Sequence, residues 1–504
     1  MREISVRFFM KTDQRYSTFL AVVAFWLSAC SVGPDYTPPQ MSLAPRFTEG
    51  SVAPFLDEEV SLSWWKSFSD EQLSSLIEKT VQGNRSVEAA LARVNQARAL
   101  RQESFLDFFP TVTSKAGYVS QRQSAARLNG YPAPRNLDLY NAGLDASWEI
   151  DLFGRVRRGY EQQSAQEEAR VAELGDALRV VVAESASTYL ELRGVQAEHA
   201  VALENAASQE KTFKLTTALK DAGQGTALDV ARSEAQYKST LAAIPLLEAR
   251  IKGALFRLAV LCGQEPGAIE SELAVTKPLP VYSGPIALGA PAELLSRRPD
   301  VRAAERALAA RTAGIGVAVG DYFPKLTFEG SLGMDAKTPR DFGSGVAEGW
   351  AFGPHLSWAA FNMGRVYANV KYADAQTAEA MANYQQVVLT ALEETNNALV
   401  RFGTERRRLE FLREAEAAAV RAFQIAELQY RQGAIDFLSV LEAQRQMLLT
   451  QVELAHSETT LATDLVGIFK ALGGGWQEVG VVEKRARSTL FLHHVAAIDN
   501  STKG

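Results

Sequence analysis

Two stretches of the chain hold a single periodicity for an unusual length. Residues 155–222 and 365–432 contain no proline, are rich in Ala, Glu, Gln and Arg, and place apolar residues at helical spacing, as in Ala172, Leu174, Leu178, Val181 and Val182, or Val387, Val388, Ala391 and Leu392. As one α-helix each would extend roughly 100 Å. A helix that long finds no compact partner, so it must pack along equally extended neighbours in coiled-coil fashion. Shorter helical segments near 71–108, 228–262, 294–320 and 438–471 are the natural partners. Between 110 and 150, and again between 324 and 361, the period becomes two. Leu144, Ala146, Trp148 and Ile150 alternate with Gly143, Asp145, Ser147 and Glu149, while Leu326, Phe328, Gly330 and Leu332 alternate with Lys325, Thr327, Glu329 and Ser331.

The pattern occurs twice. Val87-Glu88-Ala89-Ala90 matches Val301-Arg302-Ala303-Ala304, and Phe109-Pro110 matches Phe323-Pro324, at an offset of 214. Further on the offset is 210, pairing Trp148 with Trp358, Gly154-Arg155 with Gly364-Arg365, Gly223 with Gly433, and Leu228 with Leu438. The first copy therefore holds four extra residues between its Phe-Pro and its Trp, where a surface loop would absorb them. The expected organisation is a leader over 1–29, an extended segment over 30–70, repeat 1 over 71–276, a Pro- and Gly-rich linker over 277–293, repeat 2 over 294–476 and a tail over 477–504.

Alternating segments of about 10 residues, closed by Gly, Pro, Asn and Asp turns, fit transmembrane strands. Phe108, Phe109, Tyr322, Phe323, Trp148 and Trp358 stand at their ends, where an aromatic girdle belongs. Strand 110–121 is the weakest, because Ser114 falls on its apolar face. The alternative reading is a pair of surface hairpins on a soluble helical body. Four strands do not close a pore, and open edges are not tolerated in lipid, so a spanning sheet has to be shared between copies. Eight strands from a dimer and twelve from a trimer are both allowed, the latter leaving a wider lumen.

The N-terminus reads as an address. Arg2, Arg7, Lys11 and Arg15 precede the apolar run Phe19 to Leu27, too short to span a bilayer and suited to a secretory leader. It ends in Leu27-Ser28-Ala29-Cys30, which resembles the lipobox of bacterial lipoproteins and makes Cys30 the expected lipid attachment point. Ser31, rather than Asp, favours delivery to the outer membrane by the same resemblance, and Met10 offers a second plausible start. With Cys30 acylated, Cys262 is the remaining thiol, in the apolar stretch Leu258–Cys262. The composition excludes other classes: 504 residues with 53 basic and 59 acidic side chains, a net charge of −6 and 47% apolar content do not describe a basic nucleic-acid binder, and two cysteines do not make a disulfide scaffold. No cofactor motif emerges. Gly314-Ile315-Gly316 lacks dinucleotide-fingerprint spacing and suits close helix packing, while His493-His494 offers two ligands without a third.

Several pieces in order resemble the outer-membrane efflux family, the TolC-type channels, and within it the lipoprotein branch of OprM or NodT type. They are Cys30 to Pro39, Trp64-Trp65-Lys66-Ser67-Phe68-Ser69-Asp70, Trp148-Glu149-Ile150-Asp151-Leu152-Phe153-Gly154-Arg155, Arg298-Pro299-Asp300-Val301, and Ala471-Leu472-Gly473-Gly474-Gly475-Trp476. The resemblance implies a mainly α fold with membrane β-structure: a homotrimer sharing one twelve-stranded outer-membrane barrel, continued by a twelve-helix periplasmic tunnel. It implies a passive exit duct without a catalytic site. It also implies outer-membrane lipid around the barrel, a periplasmic adaptor protein, and an inner-membrane pump of the resistance-nodulation-division class as partners.

Closure of such a duct belongs at the far helix turns, Ala222 to Asp229 and Gln432 to Ser439. Gly223, Gly225 and Gly433 supply tight or left-handed backbone there, and Asp229 and Asp436 are candidate helix-start caps. Leu438 and Glu442, four residues apart, share one helical face. By the resemblance Leu438 falls at an apolar ring, Glu442 at an acidic ring, Ser439 where some members carry a second aspartate, Tyr430 at a tip tyrosine, and Ile435 where other members place a latching arginine. Arg406-Arg407-Arg408 beside Glu405 and Glu410 is read as a solvated helix face. A Type I secretion exit and a non-conducting coiled-coil lipoprotein scaffold are the alternatives; the scaffold has no use for lipid-facing strands.

Overall fold

The computed structural model describes residues 31–48, 55–56, 63–124, 126, 134–282 and 286–476. Cys30, the leader, His493 and His494 lie outside the described residues. The elements are, in order, β1 (Phe55–Leu56), α1 (Glu71–Gly83), α2 (Arg85–Leu106), β2 (Thr111–Arg122), β3 (Asn136–Ile150), α3 (Arg155–Asp221), α4 (Ala227–Leu261), α5 (Glu270–Leu273), β4 (Ile286–Ala287), α6 (Leu294–Arg297), α7 (Pro299–Gly320), β5 (Lys325–Ala336), β6 (Glu348–Ser357), α8 (Met363–Arg431) and α9 (Phe437–Ala471). The two long helices run 67 and 69 residues without interruption.

Two expected single helices are each divided. Segment 71–108 breaks at Asn84 and segment 294–320 at Arg298, both extended, with ψ of 124° and 121°. Asn84 accepts from the amides of Ser86 and Val87, starting a new helix, and its own amide donates to the Leu261 carbonyl at 2.8 Å. Arg298 precedes Pro299, whose ring forbids helical backbone there, and donates Nη1 to the Ala471 carbonyl at 3.0 Å. These positions correspond under the repeat, and so do the two carbonyls they reach.

Each copy contributes to both of the chain's two compact units. Among the described residues, one holds those within 31–39, 95–169 and 304–384, and the other those within 40–94, 170–303 and 385–476. In the second unit Trp64, Trp65, Phe68, Leu73, Leu178, Tyr189, Leu258, Leu465 and Phe469 form one apolar core, with Trp64 stacked on Phe469 at 5.2 Å. Cys262 is buried there beside Thr80, and burial pushes its thiol up, so it stays protonated and inert.

The first unit contains a four-stranded antiparallel sheet in the order β2-β3-β5-β6. Its register aligns the alternation seen in the sequence: Leu144 faces Leu332, Ala146 faces Gly330, Trp148 faces Phe328, and Ile150 faces Leu326. On β6 the same face continues with Trp350, Phe352, Pro354 and Leu356, and on β2 with Val112, Ser114, Ala116 and Tyr118. The other face carries Thr113, Lys115, Asp145, Ser331, Glu329 and His355, with Lys115 paired to Asp145 at 2.9 Å. In the same unit, residues 32–36 lie along α3 and α7. Val32 donates to the Phe153 carbonyl, the buried Arg158 binds the Val32 carbonyl and Asp35, and the Tyr36 hydroxyl donates to Glu305. Small residues of α7 face α3 at close range, where a Cβ on Gly316 would come within 2.7 Å of Arg158.

Candidate functional site

The helix turns at 222–226 and 432–436 are built alike. Gly223 and Gly433 have φ of +73° and +71°. Beside them, Gln224 N–H donates to the Leu219 carbonyl and Gly223 N–H to that of Lys220; Ala434 and Gly433 repeat this on Gln429 and Tyr430. This pattern uses up the last free carbonyls of a helix and requires a left-handed residue at its end. Gly225 is not left-handed; its need is space, since a Cβ there would stand 3.0 Å from the Lys220 nitrogen.

The helices that follow start differently from the expectation at one position. Asp436 caps α9, accepting from the Ser439 amide at 3.0 Å. Asp229 does not cap α4. Thr226 does, and Asp229 is its reciprocal partner in a capping box, because its carboxylate is longer than the hydroxyl and reaches back from the third helical position. Thr226 and Asp436 correspond under the 210 offset, as do Asp229 and Ser439, so the hydroxyl and the carboxylate have exchanged places between the copies. Both pairs are bonded, Thr226 Oγ1 to Asp229 at 2.6 Å and Ser439 Oγ to Asp436 at 2.7 Å.

Leu438 is 47% exposed and Glu442 is exposed one turn further on, so the proposed gate face is free within the chain. Glu442 is nevertheless paired: Arg445 binds it through Nε at 3.0 Å and Nη2 at 2.6 Å, and this hydrogen bond holds its carboxyl below the ordinary range. Tyr430 packs on Phe437 with ring centroids 5.6 Å apart, and burial, then the charge of Asp229, pushes its phenol up. Asp229 and Tyr430, from different repeats, are thus brought within electrostatic reach. Asp436 likewise feels Arg232, although the Ser439 bonds dominate its lowered value. Ser439 serves the cap, and Ile435 is half-buried. The residues missed from sequence are Arg445, detectable three positions after Glu442 on the same face, and Arg232, which stands at the repeat position of Glu442 with the opposite charge.

The sheet presents the second feature. Val112 (60% exposed), Trp350 (73%), Phe352 (60%) and Leu356 (64%) lie on one face, with Leu144, Phe328 and Leu332 also exposed between them. A continuous apolar face of that extent marks contact with lipid or another chain. At its margin Trp148 Nε1 donates to the Phe108 carbonyl and Trp358 Nε1 to the Tyr322 carbonyl, both at 3.0 Å, fixing the ring of each girdle tryptophan identically in the two copies. No described helix is long and apolar enough to cross a membrane. Among the described residues no group of three or more His, Cys, Asp or Glu is arranged to hold a metal ion.

Fold and site together define a mostly helical protein with two long helices and a four-stranded sheet that bears an exposed apolar face. The chain belongs to the outer membrane efflux protein family, whose profile it matches over residues 76–264 and 290–474. It is 32% identical to Nodulation protein T of Rhizobium leguminosarum bv. viciae, over 93% of this chain and 96% of that protein. It is also 32% identical to outer membrane protein OprJ of Pseudomonas aeruginosa, over 91% and 95%. The solved structure of the outer-membrane channel OprN superposes with a TM-score of 0.84 at 40% identity, covering 89% of this chain and all of that one. The protein is therefore an outer-membrane efflux component of a family of channels, not of enzymes.

Proposed function

We propose that three copies share a twelve-stranded barrel, with β2 of one chain pairing to β6 of the next, and that the assembly is the passive exit conduit of a tripartite pump. The observation that carries this is the apolar face spanning all four strands, on a sheet whose edges β2 and β6 pair with no other strand among the described residues. In lipid, unpaired edges are satisfied only by closure. Lys115, Asp145, Glu329 and His355 on the opposite face would line an aqueous lumen. A coiled-coil spacer has no use for such a face.

The energy comes from the pump, so the conduit needs a path and a gate. Leu438 and Glu442 would form apolar and acidic rings at the tip, with Tyr430, Asp229 and Ser439 behind them and the turns at Gly223, Gly225, Gly433 and Asp436 as scaffold. Three like charges about 8 Å apart repel by roughly 0.5 kcal/mol per pair in water-like dielectric, and Arg445 reduces that repulsion. Cys30 would carry the lipid anchor. A periplasmic adaptor and an inner-membrane pump of the resistance-nodulation-division class are the partners this reading requires; the cargo is whatever that pump selects. The test is a purified, heat-modifiable trimer in planar bilayers. Leu438→Ala with Glu442→Ala raises basal conductance, and an unchanged closed state removes the gate assignment. Full extraction of a Cys30→Ala protein in soluble form would refute the barrel.

A further inference from the structure

A sheet shared between copies contains two kinds of seam. Inside the chain, β3 of repeat 1 lies against β5 of repeat 2; between chains, β6 would lie against β2 of the next. The two hairpins are laid out identically, since Thr111 faces Ser147 as Lys325 faces Ser357, pairs related by the offsets of 214 and 210. The chain's own seam therefore serves as a template for the other. At its helical end Arg155 opens α3. Glu149 binds Arg155 Nε at 2.9 Å and Nη2 at 2.5 Å, and Asp321, just past α7, lies within electrostatic reach. Asp321 is itself paired with Lys325 at 2.8 Å. Moving this cluster by the two offsets puts Arg365 of one chain opposite Asp107 of the next, but the supporting partners do not travel with them. Ala359 stands at the position of Glu149, and Thr111 at that of Lys325. Arg365 and Asp107 are both exposed, and neither has an ion-pair partner among the described residues.

We propose that Arg365 of each chain binds Asp107 of the next, an ion pair that joins the chains at the base of the barrel and sets the register of β6 on β2. The inference rests on the shared-barrel reading and names the contact that fixes it. Carrying the β3–β5 pairs Ala146–Gly330, Leu144–Leu332 and Ala142–Met334 across the offsets places Leu356 opposite Ala116, Pro354 opposite Tyr118 and Phe352 opposite Ser120. That register keeps the apolar residues of both strands on one face, which a one-residue slip does not. A two-residue slip also keeps the faces, and the ion pair is what excludes it, because such a slip moves the two charges about 7 Å along the strands. Within its own chain Arg365 borders a cleft that Asp321 and Lys325 also line, but Lys325 already holds that carboxylate. The seam between chains is the wider one. Leu106, 63% exposed, stands at the position of Gly320, where an added Cβ would come within 2.9 Å of the Arg155 side chain. An arginine and an aspartate with no partners of their own span such a gap without breaking an existing pair.

The unaltered full chain is measured first, and a parent that forms no trimer resistant to dodecyl sulfate refutes the shared barrel itself. Where the parent trimer forms, Asp107→Cys with Arg365→Cys, treated with a short bis-maleimide and then boiled, runs as covalent dimer and trimer, because each link joins two chains. Cys262 is buried and does not compete. An intact unboiled trimer that yields only monomers on boiling overturns the ion pair and leaves the barrel standing. Charge exchange needs no new thiol and decides the matter if the cysteine variant fails to assemble. Asp107→Arg and Arg365→Asp each speed dissociation of the trimer in detergent about threefold, the scale of a largely exposed pair, and combining them returns the rate toward the parent's. Residues of merely structural importance would leave the combined variant at least as fast as the faster single one, and that result overturns the proposal.

Discussion

Replacing Arg298 by methionine tests how the two helix junctions are held. The Arg298 side chain is 1% exposed and donates Nε and Nη2 to Asp300 at 3.0 and 2.5 Å, Nη2 to Glu394 at 2.8 Å, and Nη1 to the Ala471 carbonyl at 3.0 Å. Breaking a buried ion pair from one side costs about 3–5 kcal/mol. The lower end applies here: Glu394 is 51% exposed and returns to water, and Arg179 remains 3.5 Å from Asp300. About 3 kcal/mol corresponds to a fall of about 5 °C in the unfolding midpoint of a large domain. Thermal unfolding in detergent, followed by near-ultraviolet circular dichroism, reads it. Burial by itself would raise the Asp300 carboxyl, but the Arg298 bond and the charges of Arg179 and Arg298 outweigh it and hold it below its usual 3.8. A lowered carboxyl contributes stability above its unfolded-state value and loses it as pH falls through the folded one. Arg298→Met thus flattens the loss below about pH 4, and adding Asp300→Asn recovers part of the midpoint. A midpoint within about 1 °C of the parent, or additive single and double variants, would refute the reasoning.

Two further outcomes follow from the paired geometry. Trp148→Phe and Trp358→Phe remove equivalent hydrogen bonds, so each lowers the stability of the folded protein by about 1 kcal/mol, and effects differing several-fold would show that the two tryptophan positions are not equivalent. Thr226→Ala costs about 1 kcal/mol of local helix stability and Asp436→Ala acts in the same direction on α9, both read as faster hydrogen exchange over 227–229 and 437–439. The Ser439 bonds hold Asp436 below its usual value, so its cap weakens as pH falls through that lowered value; an acid sensitivity of the α9 start that Asp436→Asn leaves unchanged would contradict the assignment.

Period and repeat were the most legible features, because each is written many times over. The alternation along 144–150 and 326–332 left little freedom in pairing: a one-residue slip would have turned Leu144 and Leu332 to opposite faces. The breaks at Asn84 and Arg298 escaped a pattern reading because apolar spacing continues across them; only the side chain's reach to a distant carbonyl, or the proline that follows, reveals the change of direction. The Asp229 assignment failed for a related reason, since a carboxylate at the third helical position and one at the cap have the same composition within four residues. The Glu442–Arg445 pair is written in the spacing, because residues three apart share one helical face.

Comparing the copies separates what backbone direction demands from what each repeat carries alone. Four helix ends, after Lys220, Val260, Tyr430 and Lys470, share one arrangement in which a left-handed glycine follows, at Gly223, Gly263, Gly433 and Gly473. The tryptophan bonds and the junction clamps are likewise duplicated. These positions keep their geometry even where the residue changes, as between Asn84 and Arg298, which is what a constraint imposed by backbone direction requires. Within and just after the tip turns two positions depart from that equivalence. Arg232 answers Glu442, and Gly225 answers Ile435. In the proposed trimer both copies would stand around one axis, so identical copies would give six equal charges, whereas opposed ones would allow neighbouring hairpins to attract. The charge reversal between Arg232 and Glu442 therefore falls beside the turns of the proposed gate, where a closed state would have to be held and then released.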